Sequence, residues 1–210
     1  MFVTFHGWPA EALEFYDGLE ADNSKTYWTA HKATYDEQVR APMTELLAEL
    51  EPEFGPAKIF RPYRDVRFSA DKSPYKTSCA ASFERGGYIQ LTAHGLAAGA
   101  GAYMMDSPRL ARFRQAVADD SSGLLLARIV ADLESRGWSV TSHEQLKSVP
   151  RGFDKEHPRA DLLRHKGLIA WHQFPLKPWL GTAKARTHVE QFLRGCGPLQ
   201  EWLDTHAAQP

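Results

Sequence analysis

Apolar residues recur at three- to four-residue steps through the first third of the chain, the spacing that gathers side chains on one face of a helix. Leu13, Phe15, Tyr16 and Leu19 predict a first helix with Pro9 in its first turn and an end near Gly18. From 25 to 40, Trp28, His31 or Lys32, Tyr35 and Val39 share a face, and Asn23 or Ser24 supplies the cap. Pro42 restarts the chain into a third helix carrying Met43, Leu46, Leu47 and Leu50, which Pro52 and Gly55 close.

The period then drops to two. Residues 59–69, 79–83 and 88–93 read as strands, and Arg85-Gly86-Gly87 reads as a hairpin turn between the last two. Ile89, Leu91 and Ala93 form one face of the third strand, with Tyr88, Gln90, Thr92 and His94 on the other. The run 96–103 is poor in side-chain volume. Gly99 and Gly101 lack the third glycine and the Lys-Ser/Thr of a phosphate-cradling loop, so they predict a strand that another element approaches closely. Ser107 and Pro108 open a helix with Leu110, Phe113, Ala116 and Val117 inward. A further helix over 123–136 turns Leu124, Leu125, Ile129 and Leu133 inward and stops at Gly137. A strand at 138–141, a Pro-rich basic loop through 147–159, a short helix at 158–165, a strand at 168–174 and helices at 182–193 and 198–206 complete the chain. The expected fold is α+β: one domain over 1–210, a mainly antiparallel sheet packed with N-terminal and C-terminal helices.

Composition narrows the class. The 210 residues are 43% hydrophobic and 24% charged, with a net charge of −1, enough for one sizeable core and too neutral for general nucleic-acid or anionic-membrane binding. Cys79 and Cys196 make no disulfide framework and no metal spacing, and the scattered histidines show no local ligand pair, so no cofactor and no metal is expected. The start Met1-Phe-Val-Thr-Phe-His-Gly-Trp-Pro has no basic opening or apolar signal core. No run approaches the ~20 apolar residues of a membrane helix. A cytoplasmic protein is expected.

Against this neutral background one stretch is basic. Arg61-Pro-Tyr-Arg-Asp-Val-Arg-Phe-Ser-Ala-Asp-Lys-Ser-Pro-Tyr-Lys-Thr77 sets Arg61, Arg64, Arg67, Lys72 and Lys76 against Asp65 and Asp71 alone. As an extended strand it places Arg64 on one face with Val66 and Phe68, where a guanidinium needs a carboxylate, a carbonyl or a bound anion. Guanidinium, ammonium and phenol together recognise phosphate or carboxylate. The candidate ligand site is therefore Arg61, Arg64, Asp65, Arg67, Asp71, Lys72, Tyr75 and Lys76, joined by His94 if its strand face looks toward them. Asp65 or Asp71 could act as a base and Tyr75 as a proton donor, but the residues select no reaction. The expected partner is a small anionic or phosphorylated ligand. The alternative is a non-catalytic protein-interaction module in which 61–76 forms a structural ion-pair network.

These residues also carry a resemblance. Arg64-Asp-Val-Arg-Phe-Ser-x-Asp-Lys-Ser-Pro-Tyr-Lys-Thr77 resembles the signature of an uncharacterised family of bacterial and fungal proteins, domain-of-unknown-function family 2461. The early Asn23-Ser-Lys-Thr-Tyr-Trp-x-x-His31 run followed by Tyr35 and Pro42, the Gly99-x-Gly-x-Tyr103 segment, and Leu146-Lys-x-x-Pro-x-Gly-Phe153 followed by His157-Pro158 agree with it. In the early run Asp22-Asn23 and Tyr27-Trp28 stand where the family pattern has paired asparagines and Trp-Phe. The resemblance spans nearly the whole chain and implies no activity.

Overall fold

A computed structural model describes residues 4–208; the first three residues of the stretch read for a leader lie outside it. The elements in order are α1 (Ala10–Ala21), α2 (Lys25–Thr34), a π-helical segment (Tyr35–Arg40), α3 (Ala41–Phe54), β1 (Ala57–Ile59), β2 (Cys79–Phe83), β3 (Gly87–Thr92), β4 (Gly95–Ala102), α4 (Ser107–Ala118), α5 (Asp120–Ser135), β5 (Ser139–Thr141), α6 (Ala160–Arg164), β6 (Leu168–Gln173), a 3₁₀ turn (Pro178–Gly181), α7 (Lys184–Gly195) and α8 (Gly197–His206). The fold is α+β. Its sheet has strand order β1-β2-β3-β4-β6-β5, with β1/β2, β2/β3 and β5/β6 antiparallel. Among the described residues no helix is long and apolar enough to cross a membrane.

The chain folds as two compact units, residues 1–98 with 173–191 and residues 99–172 with 192–210. The core of the first unit is Trp8 ahead of α1, Phe15, Tyr16, Leu19, Trp28, Tyr35, Val39, Met43, Leu46 and Leu50 from its helices, and Ile89 and Leu91 from β3. Ser24 caps α2 by accepting from the Tyr27 N–H at 3.1 Å. Pro42 stands at the start of α3, as expected, but no break precedes it: the backbone stays helical through the π-helical segment, where the Ala41 N–H reaches back five residues to the Asp36 carbonyl. Gly55, at φ +80°, ends α3.

The second unit is centred on Phe113, Leu126, Leu133, Leu163, Leu168 and Trp202. The Trp202 indole N–H donates to the Ser122 carbonyl at 2.8 Å. Two helix readings change here. Asp106, not Ser107, caps α4, accepting from the Arg109 N–H at 2.8 Å, because the carboxylate sits one residue before the first helical position. On α5 the buried positions are Ser122, Gly123, Leu126 and Leu133, while Leu124 and Leu125 are each 49% exposed, since Ser122, Leu126 and Leu133 share one helical face and Leu124 and Leu125 lie off it. The basic loop is partly structural: the buried Arg159 donates to the Val117, Ala118 and Asp119 carbonyls at 2.7, 3.0 and 3.3 Å and closes the C-terminal end of α4.

The small residues of β4 do permit close approach. A side chain at Gly101 would stand 2.3 Å from the Leu168 carbonyl, and its φ of +126° is one that only glycine adopts freely; a side chain at Gly99 would meet the Trp171 ring at 3.0 Å.

Candidate functional site

The basic stretch is not a continuous strand. β1 ends at Ile59, and beyond it Tyr63 makes an isolated antiparallel bridge with Tyr75 of the same loop. The Arg64 N–H donates to the Pro74 carbonyl at 2.9 Å and the Lys76 N–H to the Pro62 carbonyl at 2.7 Å. Pro62 and Pro74 lack the N–H a further strand partner would need, so residues 62–76 fold back as a narrow arm between β1 and β2. Its tip is open: Phe68 is 97% exposed.

Helix α2 fixes the base of this arm. Asn23 donates its amide nitrogen to the Tyr75 carbonyl at 3.1 Å and accepts from the Tyr75 N–H at 3.0 Å, standing in for one residue of a β-ladder. Trp28 stacks on the Tyr75 ring, centroids 4.4 Å apart and planes 8° apart, with Tyr63 beside both at 6.0 and 5.4 Å. The early Asn23 run and the Lys-Ser-Pro-Tyr-Lys run of the sequence are thus two halves of one clasp.

Between α2 with its π-helical continuation and β1 with the arm lies a cleft of about 590 Å³. Its apolar wall is Trp28, Tyr35, Ile59, Phe60, Pro62 and Tyr63. Its charged rim is Lys32, Arg40, Lys58, Arg61 and Lys76 against the single carboxylate of Asp36, which Lys32 takes in an i,i+4 ion pair. Among the described residues Arg40, Lys58, Arg61 and Lys76 make no ion pair; Lys76 Nζ stands 5.4 Å from the centre of the Phe60 ring. β1 is an edge strand of the sheet, so one row of its backbone groups has no neighbouring strand.

A second, more polar hollow of about 470 Å³ lies beside Glu20, Asn23, Arg64, Asp71, Ser73, Tyr75, Lys76, Thr77 and Ser78. There Asp71 Oδ1 accepts from the Ser73 N–H at 2.9 Å and from its hydroxyl at 2.7 Å, while Oδ2 pairs with Arg64. Ser73 and then Arg64 hold the Asp71 carboxyl well below the ordinary carboxylate range. Asp65 is lowered likewise, chiefly by Arg67, whose guanidinium meets it at 2.9 and 2.7 Å. Burial raises the Tyr75 phenol. Each of these shifts moves a proposed acid or base away from neutrality: the two carboxyls toward the anion, the Tyr75 phenol toward the neutral form.

The sequence-chosen residues are therefore distributed. Arg61 and Lys76 reach the cleft; Arg64, Asp71, Tyr75 and Lys76 line the hollow. Asp65 and Arg67 pair with one another on the exposed part of the arm, and Lys72 donates to the Val66 carbonyl at 3.0 Å. His94 occupies the turn after β3, largely exposed, with Nε2 4.0 Å from a Glu20 carboxylate oxygen, and lines neither cavity. Lys32, Arg40 and Lys58 were not among the residues chosen. Trp28, Lys32, Asp36 and Arg40 recur at four-residue steps, a polar row running off an aromatic one; that spacing points to Lys32 and Arg40, and no local signal points to Lys58.

Below the cleft floor Tyr35 shares a side-chain hydrogen bond with Cys79, and burial pushes the thiol up to about 11, so Cys79 is a protonated core residue at neutral pH.

Comparison with curated proteins and with solved structures yields no match. A family model described as Conserved hypothetical protein (DUF2461) matches residues 11–202, a span that takes in both the clasp and the cleft, and the chain belongs to that family.

Proposed function

We propose that the protein binds a small anionic, phosphorylated ligand in the cleft between α2 and β1. One observation carries the reading: four cations, Arg40, Lys58, Arg61 and Lys76, surround an aromatic-walled cleft and, among the described residues, no carboxylate pairs with any of them, in a chain whose net charge is −1. Cations that repel one another at a concave surface favour an anion that neutralises them, and guanidinium and ammonium groups over low-dielectric walls focus the field toward it. The volume lies within the ~300–1,000 Å³ usual for small-molecule sites. The π-helical segment supplies Tyr35, Asp36 and Arg40 of the lining, and such segments are frequent at functional sites. Two buried, unbridged thiols support a cytoplasmic location.

The test is thermal melting against phosphate, sulfate, sugar phosphates and carboxylates, with a Lys58→Ala, Arg61→Ala double variant alongside. Both residues are exposed and make no ion pair among the described residues, so the variant should melt like wild type without ligand. A ligand at ~100 times its Kd adds about 2.7 kcal/mol, which raises the wild-type Tm by roughly 5 °C or more and leaves the variant unmoved. A second reading, an interaction module with a braced arm, draws on the Arg64–Asp71 and Arg67–Asp65 pairs and the exposed Phe68. It expects no shift with any ligand and a lower melt for Arg64→Ala.

A further inference from the structure

We infer that the ligand of the cleft is a phosphate monoester carried on a planar ring, an aryl phosphate or a nucleoside monophosphate, rather than an aliphatic sugar phosphate; this rests on the anion-binding reading above. Phe60 and Tyr63 are large rings left 38% and 48% exposed on the cleft wall, three residues apart on the edge where β1 passes into the arm. Water against such faces is unfavourable, and an inorganic or aliphatic anion would leave them wet.

Both rings are also held in place, which lowers the entropic cost of stacking on them. Tyr63 is fixed by its backbone pairing with Tyr75 and by the Arg64–Pro74 and Lys76–Pro62 hydrogen bonds, and its ring lies against Trp28 and Tyr75. Phe60 donates its N–H to the Ala80 carbonyl at 2.8 Å and sits 6.4 Å from Tyr88. The cation is built onto the same ring: Lys76 Nζ is 5.4 Å from the Phe60 centroid, so an anion that meets Lys76 has its next substituent beside an aromatic face. Arg61 lies in sequence between the two rings and lines the same cleft. Phosphate against Lys76 and Arg61, with a flat ring against Tyr63 and Phe60, uses every one of these groups, and stacking on an aromatic side chain tolerates any flat ring.

The experiment is titration calorimetry of the full chain with phenyl phosphate, adenosine monophosphate, glycerol phosphate and inorganic phosphate, on wild type and on Tyr63→Leu. Leucine keeps an apolar side chain there and removes the flat face; its unliganded melting curve serves as the fold control. The expected result is that the two ring-bearing phosphates bind wild type about tenfold tighter than glycerol phosphate, and that Tyr63→Leu removes this advantage while leaving inorganic phosphate unchanged. Glycerol phosphate binding as tightly as phenyl phosphate, or an advantage that survives in Tyr63→Leu, overturns the ring and leaves the anion site standing. Adenylate oligonucleotides of increasing length are titrated alongside these, and affinity that climbs with their length overturns the small-ligand class. Failure of all four compounds to bind overturns the anion site itself.

Discussion

Asn23 ties two segments that are 52 residues apart, using both ends of one carboxamide on the backbone of Tyr75. No other side-chain type of that size both donates and accepts in this geometry. Asn23→Ala should therefore lower stability by about 1–3 kcal/mol, read from urea denaturation, and Asn23→Asp, which keeps the acceptor and loses the donor, should fall in between. In the sequence Asn23 showed only as a candidate helix cap, because a cap and a clasp ask for the same residue and the second partner lies far along the chain. Ser24 turned out to be the cap. Arg61 and Lys76 were legible as site residues, since both lie in one run of unbalanced charge. Lys58 was not: it looks like an ordinary solvated charge until the fold brings β1 beside α2, and Arg40 shows only as the last member of the four-residue row from Trp28.

At the scale of elements, most helices and strands were legible because a 3.6-residue or two-residue period survives in their apolar positions. β2 has the expected bounds, and β3 and β6 lie within a residue or so of them. The exception is instructive. Residues 59–69 alternate like a strand, yet the arm pairs with itself because its two prolines forbid a full ladder on either side. The π-helical segment had no signature at all, as its residues are ordinary helix formers and the difference lies in one extra residue per turn. Helix α5 offers a test of its cap. Asp119 Oδ1 accepts from the Ser121 and Ser122 N–H groups, both at 3.0 Å, and these bonds, with those from the serine hydroxyls, lower its carboxyl from 3.8 to about 2. A group lowered on folding stabilises fully above its unfolded value and loses that contribution as pH falls through the folded one. Asp119→Asn still offers a cap acceptor but does not titrate. The urea midpoint of wild type should therefore exceed that of Asp119→Asn above pH ~4, and the gap should close as the pH is taken down to about 2.

For the whole molecule, a net charge of −1 conceals a strong local field: the cations of the cleft are balanced by acidic residues placed elsewhere along the chain. Net charge speaks to solubility, and it hides a site of this kind. Family membership adds no chemistry, so the cleft itself has to supply the reading. The arm that walls it has one more consequence. Phe68, almost fully exposed near the tip, is an aromatic residue in a narrow loop, the preferred cut site of chymotrypsin-like proteases. A single cut there would divide the chain while β1 on one fragment stays paired with β2 on the other, and Asn23 stays bonded to Tyr75 across the break. Brief chymotrypsin treatment should give two bands on a denaturing gel and one species on gel filtration. The polypeptide chain would be severed at the tip, with the cleft still assembled from both pieces.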